Sequence, residues 1–95
     1  MKFNNYVYIF LGPGLDPNVN RAMVKTNQLT FTTIGIDFKD KEKVIAIAKE
    51  AVGNGAQMIE LCGGFGPVWI AKVSETSSTR SISTQGIQRS KRSIR

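Results

Sequence analysis

Residues Tyr6–Gly14 read YVYIFLGPG, and the reading of that stretch decides the fold. Tyr6 to Leu11 is an unbroken apolar and aromatic run with high strand preference, and it lacks the polar alternation of a strand with one wet face. It is expected to be a central strand covered on both sides. Gly12, Pro13 and Gly14 end it. Asp16 and Pro17 then give a helix-start signal, a capping side chain followed by the residue suited to the first helical position. Val19, Ala22 and Met23 stand at i, i+3 and i+4, which predicts a short helix to about Lys25.

Working outward, Leu29–Ile36 (LTFTTIGI) alternates through Leu29 and Phe31, then shifts phase to Ile34 and Ile36 across Gly35. That shift predicts a second strand with a bulge or twist near Thr33. Asp40 is placed to cap the strongest helix, whose stripe of Val44, Ile45, Ile47, Ala48, Ala51 and Val52 faces away from its lysines until Gly53 and Gly55 stop it. Gln57–Cys62 reads as a third strand, and Pro67 opens a further helical segment through Val68, Ile70, Ala71 and Val73. Alternating strands and helices predict an α/β fold: a small layered βαβαβα unit with a largely parallel three-stranded sheet. A partner subunit, or an edge strand from the tail near Arg80–Ile87, would complete it.

The chain has 95 residues and is 41% hydrophobic. That is room for one small domain whose buried fraction is low enough that self-association is expected. No apolar run reaches the roughly 18 residues needed to span a bilayer, and the amino terminus has no small-residue cleavage pattern, so the reading is a cytoplasmic chain with no membrane partner. One cysteine and no histidine exclude an internal disulfide, Ser-His and Cys-His catalysis, and histidine-ligated zinc. No metal or cofactor is expected. The formal charge of +6 is concentrated in the tail: residues 1–73 carry eight basic and six acidic side chains, residues 74–95 five basic and one acidic. The division is therefore a single α/β domain over 1–73 and a Ser/Thr/Arg-rich basic tail over 74–95. The tail has no aromatic residue to stack on bases and no docking motif, which argues against a nucleic-acid partner.

If the first and third strands are parallel, GPG at 12–14 and GGFG at 63–66 leave the sheet along one carboxyl rim, where ligands of open α/β sheets bind. Backbone N–H groups of Gly12, Gly14, Gly63, Gly64, Phe65 and Gly66 could hold a small anion there, with Arg21 as a candidate clamp. Neither turn matches the dinucleotide or nucleoside-triphosphate pattern, and glycine also serves plain tight turns. Period-2 geometry puts Glu60 on one strand face with Met58 and Cys62, opposite Ile59 and Leu61. A carboxylate buried on that face must find donors or take up a proton. It would brace the turn, act in a subunit contact, or serve as the base of a lyase- or isomerase-type reaction with Cys62 or Tyr8 as the acid. Cys62 is either a small buried thiol or a nucleophile. Phe65 and Trp69 flank the turn and either pack or line a pocket. Tyr6 and Tyr8 read as strand core with a hydroxyl reaching a partner.

Taken in order, YVYIFLGPGLDPN, TFTTIGI and above all IELCGGFGP followed by IAKV resemble a family of short bacterial and archaeal proteins known as a domain of unknown function, number 6506, over about residues 4–75. The resemblance implies a compact α/β domain without an assigned activity. Family members add a hydrophobic strand after the position of Val73, where this chain carries its Ser/Thr/Arg segment. They often carry a histidine before the arginine that corresponds to Arg21, where this chain has Asn20. Chemistry resting on that histidine would be missing here.

Overall fold

The strand built by Tyr6–Leu11 does lie at the centre of a sheet, with the two other expected strands paired in parallel on either side of it. The computed structural model describes residues 4–76 and 80–82. In chain order the elements are β1 (Asn5–Leu11), β2 (Arg21–Lys25), β3 (Thr30–Ile36), a 3-10 turn (Phe38–Asp40), α1 (Lys43–Gly53), β4 (Met58–Leu61), a second 3-10 turn (Gly63–Phe65), α2 (Gly66–Thr76) and β5 (Arg80–Ile82). The sheet order is β2-β3-β1-β4-β5. All neighbours are parallel except β2 and β3.

This is a mixed α/β architecture, wider than the three-stranded parallel unit expected. β5 supplies an edge strand from the tail, within the range foreseen, and α2 runs on to Thr76. The other edge is a correction: the segment predicted as a helix to Lys25 forms β2, antiparallel to β3. Asp16 does start a turn, accepting from Asn18 N–H with its side chain and from Val19 and Asn20 N–H with its carbonyl. The turn stops there because Asn20 O accepts from Gly35 N–H (2.9 Å), and the next five residues satisfy the outer edge of β3 instead of their own helix. Ladder pairing has overridden local periodicity.

Of the bulge or twist expected near Thr33, the bulge is absent, since β1 and β3 pair without a break from Asn5↔Thr30 to Leu11↔Ile36. The phase change in the sequence records burial, not geometry: the first four residues of β3 are half-buried and the last three fully buried. Nor is β1 covered on both sides by helices. The crossovers β3-α1-β4 and β4-α2-β5 advance in the same direction across the sheet, so right-handed connections place both helices on one face. There Val7, Ile9, Ile34, Ile36, Ile59 and Leu61 pack against Val44, Ile47, Ala48 and Ala51 of α1 and Val73 of α2. Each large side chain so buried contributes roughly 1.5–3 kcal/mol of transfer free energy. The opposite face carries Tyr6, Tyr8 and Phe10, all half-buried.

Candidate functional site

β1 and β4 are adjacent and parallel, in register from Tyr6↔Met58 to Ile9↔Leu61. Both glycine turns therefore open on the same rim of the sheet, as the sequence reading required. At the first turn Gly12 N–H donates to Ile36 O (3.0 Å) and Gly14 N–H to the Asp37 carboxylate (3.1 Å). Asp37 also accepts from the Lys39 ammonium (2.9 Å). That hydrogen bond is the main reason the Asp37 carboxyl titrates below its usual value, with backbone N–H groups of Lys39 and Gly14 adding to it. Leu15 fills the notch left by two glycines: a Cβ on either Gly12 or Gly35 would stand 2.7 Å from Leu15 Cδ1. The first turn thus holds an anion already, one supplied by the chain.

The second turn is built differently. Phe65 is 3% exposed and anchors it in the core. Gly66 adopts φ 81°, ψ 168° and its N–H returns to Gly63 O, a backbone region that is essentially glycine's own. Phe65 N–H donates to Cys62 O (3.2 Å). The N–H groups of Gly63 and Gly64 have no acceptor among the described residues. Leu11 from the end of β1 packs against Gly64, and a Cβ there would lie 3.7 Å from Cys62 Sγ. Trp69 packs against the core with Lys72 Nζ 5.0 Å from its ring centroid, so both aromatics flanking the turn are packing groups.

Leading up to that turn, β4 places Glu60 and Cys62 on the face without helices. Glu60 is 9% exposed, and the Tyr6 hydroxyl donates to its Oε1. Tyr8 stands opposite Glu60 in the ladder. Burial first, then the Glu60 hydrogen bond, push the Tyr6 hydroxyl up to about 12. Burial, followed by the proximity of Cys62 and Glu60, also raises Tyr8. Both tyrosines therefore stay protonated donors at neutral pH. Phe31 packs on Tyr6 (centroids 5.0 Å apart) and Phe10 stacks with Tyr8 (6.2 Å). The structure thus gathers Tyr6, Tyr8, Glu60, Cys62 and the open Gly63–Gly64 N–H groups in one strip.

Arg21 lies elsewhere. It opens β2, donates from Nε to Pro17 O (2.7 Å), and pairs through Nη1 with Glu50 (3.2 Å) on the helix side of the sheet. A cavity beside that pair, lined by Thr30 and Thr32, was not foreseen, because nothing in the sequence links β3 threonines to the last turns of α1. Among the described residues no group of three or more cysteine and carboxylate side chains could hold a metal ion. No helix among them is long and apolar enough to cross a membrane.

A sequence model described as a family of unknown function, DUF6506, matches residues 4–83, past the limit near residue 75 expected from the motifs. No curated protein and no solved structure matches the chain.

Proposed function

We propose that this chain, which belongs to the DUF6506 family, binds a small molecule through an anionic oxygen at the Cys62–Gly66 turn. Glu60 and the tyrosine hydroxyls contact a donor group on the same molecule. One observation carries the reading: the unengaged N–H groups of Gly63 and Gly64 end a strand whose preceding residues present Glu60 and Cys62 beside Tyr6 and Tyr8. Paired backbone donors suit a carboxylate or phosphate oxygen, and the polar strip gives the rest of the ligand an orientation. Gly12 and Gly14 take a scaffolding part, since Leu15 and Asp37 use the space and the donor they offer. A calorimetric and thermal-shift screen of small carboxylates and phosphates tests this. A saturable ligand is expected, with affinity reduced about tenfold or more in Glu60→Gln, the loss of one charged hydrogen bond. No binding by any member of the panel would end the reading. The lyase- or isomerase-type alternative, with Glu60 as base and Tyr8 or Cys62 as acid, differs in one outcome: Glu60→Gln would then bind the ligand and fail to turn it over.

Self-association is a second reading, favoured by the edge at β2. All five of its residues are exposed, with Val24 at 58%, and Val19 in the preceding loop is at 70%. The fitting occupant is a second copy of the chain, because an unpaired edge strand is completed by its own counterpart about a twofold axis. Light scattering tests it: a dimer that becomes monomeric in Val24→Lys supports it, and a monomeric parent excludes it.

A further inference from the structure

Among the described residues two helices cannot cover five strands. α1 and α2 pack against each other, and α2 lies beside β5, so the helix side of β2 and of the first half of β3 is left open. β2 is exposed throughout and Thr30–Thr33 are only half-buried. The outcome is a cavity of about 170 Å³ between these strands and the end of α1. Its floor is apolar, made by Val7, Ile34 and Ala51, all buried. Thr30 and Thr32 line it and have no hydrogen-bond partner for their hydroxyls among the described residues. Arg21 and Glu50, both exposed, line it as well and pair with each other at 3.2 Å. By comparison, an engineered apolar cavity of roughly 150 Å³ accommodates benzene.

We infer that this cavity binds a small zwitterion of the α-amino-acid type with a short branched apolar side chain. A body of that size fits the floor, and the two charges of the head group meet the two charges beside it. A simple anion would compete with Glu50 for Arg21 and leave Glu50 facing a like charge, and a simple cation has the converse problem. A zwitterion replaces one exposed ion pair, which contributes little net stability, with two charge-assisted contacts. Arg21 is held for this: its Nε is fixed on Pro17 O, while Nη2 has no partner among the described residues. The site is on the opposite face of the sheet from Glu60 and does not depend on the anion reading above.

Calorimetry and amide NMR on the full chain with L-valine, isobutyrate and isobutylamine test the inference. L-Valine is expected to bind saturably and to shift the amides of Thr30, Thr32, Glu50 and Asn54, with either single-headed analogue weaker by about tenfold or more. Arg21→Met and Glu50→Gln, both at exposed positions, should each weaken L-valine to a similar degree. Ala51→Leu, which fills the floor, should abolish binding, and the two exposed variants decide the matter should that one fail to fold. Absence of saturable binding, shifts confined to other parts of the chain, or equal binding of the single-headed analogues overturns the inference.

Discussion

The GPG turn at 12–14 and the GGFG turn at 63–66 leave neighbouring parallel strands at the same rim, and the chain uses them in opposite ways. In the first, Leu15 occupies the space that glycine vacates and Asp37 occupies the Gly14 N–H. In the second, Phe65 is driven into the core while the N–H groups of Gly63 and Gly64 are left without an acceptor among the described residues. Glycine content alone does not mark an anion site. What matters is whether the fold returns a side chain to the donors that glycine exposes, and β3 returns one, Asp37, to the first turn.

The contrast can be broken most forcefully at Phe65. Phe65→Ala should cost about 3–5 kcal/mol in urea unfolding, because a large buried side chain is deleted at the anchor of the second turn. A loss no greater than that of an exposed site would mean the turn is not held from the core. Next comes the positive-φ glycine of each turn, Gly14 at 75° and Gly66 at 81°, neither with an atom within 4 Å of a built Cβ. Any cost of alanine there is conformational. Gly66→Ala should lose about 1–3 kcal/mol, since its ψ places it where only glycine is comfortable, and Gly14→Ala no more than about 1–2 kcal/mol. Thermal melts of the pair read both costs directly, and an unchanged Gly66→Ala would contradict the geometry described.

A smaller effect belongs to the strand feeding the second turn. Tyr6→Phe removes the donor to Glu60 and should cost about 1.5 kcal/mol, the low end for a hydrogen bond to a carboxylate because the site is half-buried. The folded Tyr6 titrates near 12, above its ordinary 10.0. Its contribution is therefore complete below pH 10.0 and is lost as pH rises toward about 12. An alkaline melting series should show a larger loss in the parent than in Tyr6→Phe, in which Tyr8, also raised, still titrates. The smallest effect is at Asp37. Its lowered pKa means that its stabilisation is present above 3.8 and disappears as pH falls through the folded value. Asp37→Asn should flatten acid unfolding below that pH and change neutral stability only slightly, because the Lys39 ammonium is exposed.

Much of this arrangement was legible in the residues. The α1 stripe predicted from spacing is the buried one, with Val44, Ile47, Ala48 and Ala51 inside and Ile45 and Val52 at its margin. The alternation around Glu60 put it opposite Ile59 and Leu61, and those two are almost fully buried against the helices. The helix boundary was less legible: Asp40 sits in a 3-10 turn capped by Asp37, and α1 begins at Lys43. β2 was misread because Val19, Ala22 and Met23 have helical spacing while the pairing that makes Ala22 and Met23 part of a strand comes from β3, about ten residues later. The aromatic run of β1 looked like a strand buried on both faces because continuous apolar character does not report which face a helix covers.

The sequence by itself determined the parallel core strands, both helices and the apolar stripe of α1, and the placing of two glycine turns at strand ends, since periodicity and turn chemistry are local properties. Only the tertiary structure decided that β2 is a strand, that both helices share one face, that Asp37 fills the first turn, and that Arg21 and Glu50 meet beside a cavity. The β2–β3 pairs join residues 5 to 13 apart and the Asp37 and Arg21 contacts join residues 23 and 29 apart, and a backbone or side-chain group takes whichever partner the assembled sheet brings within hydrogen-bonding distance.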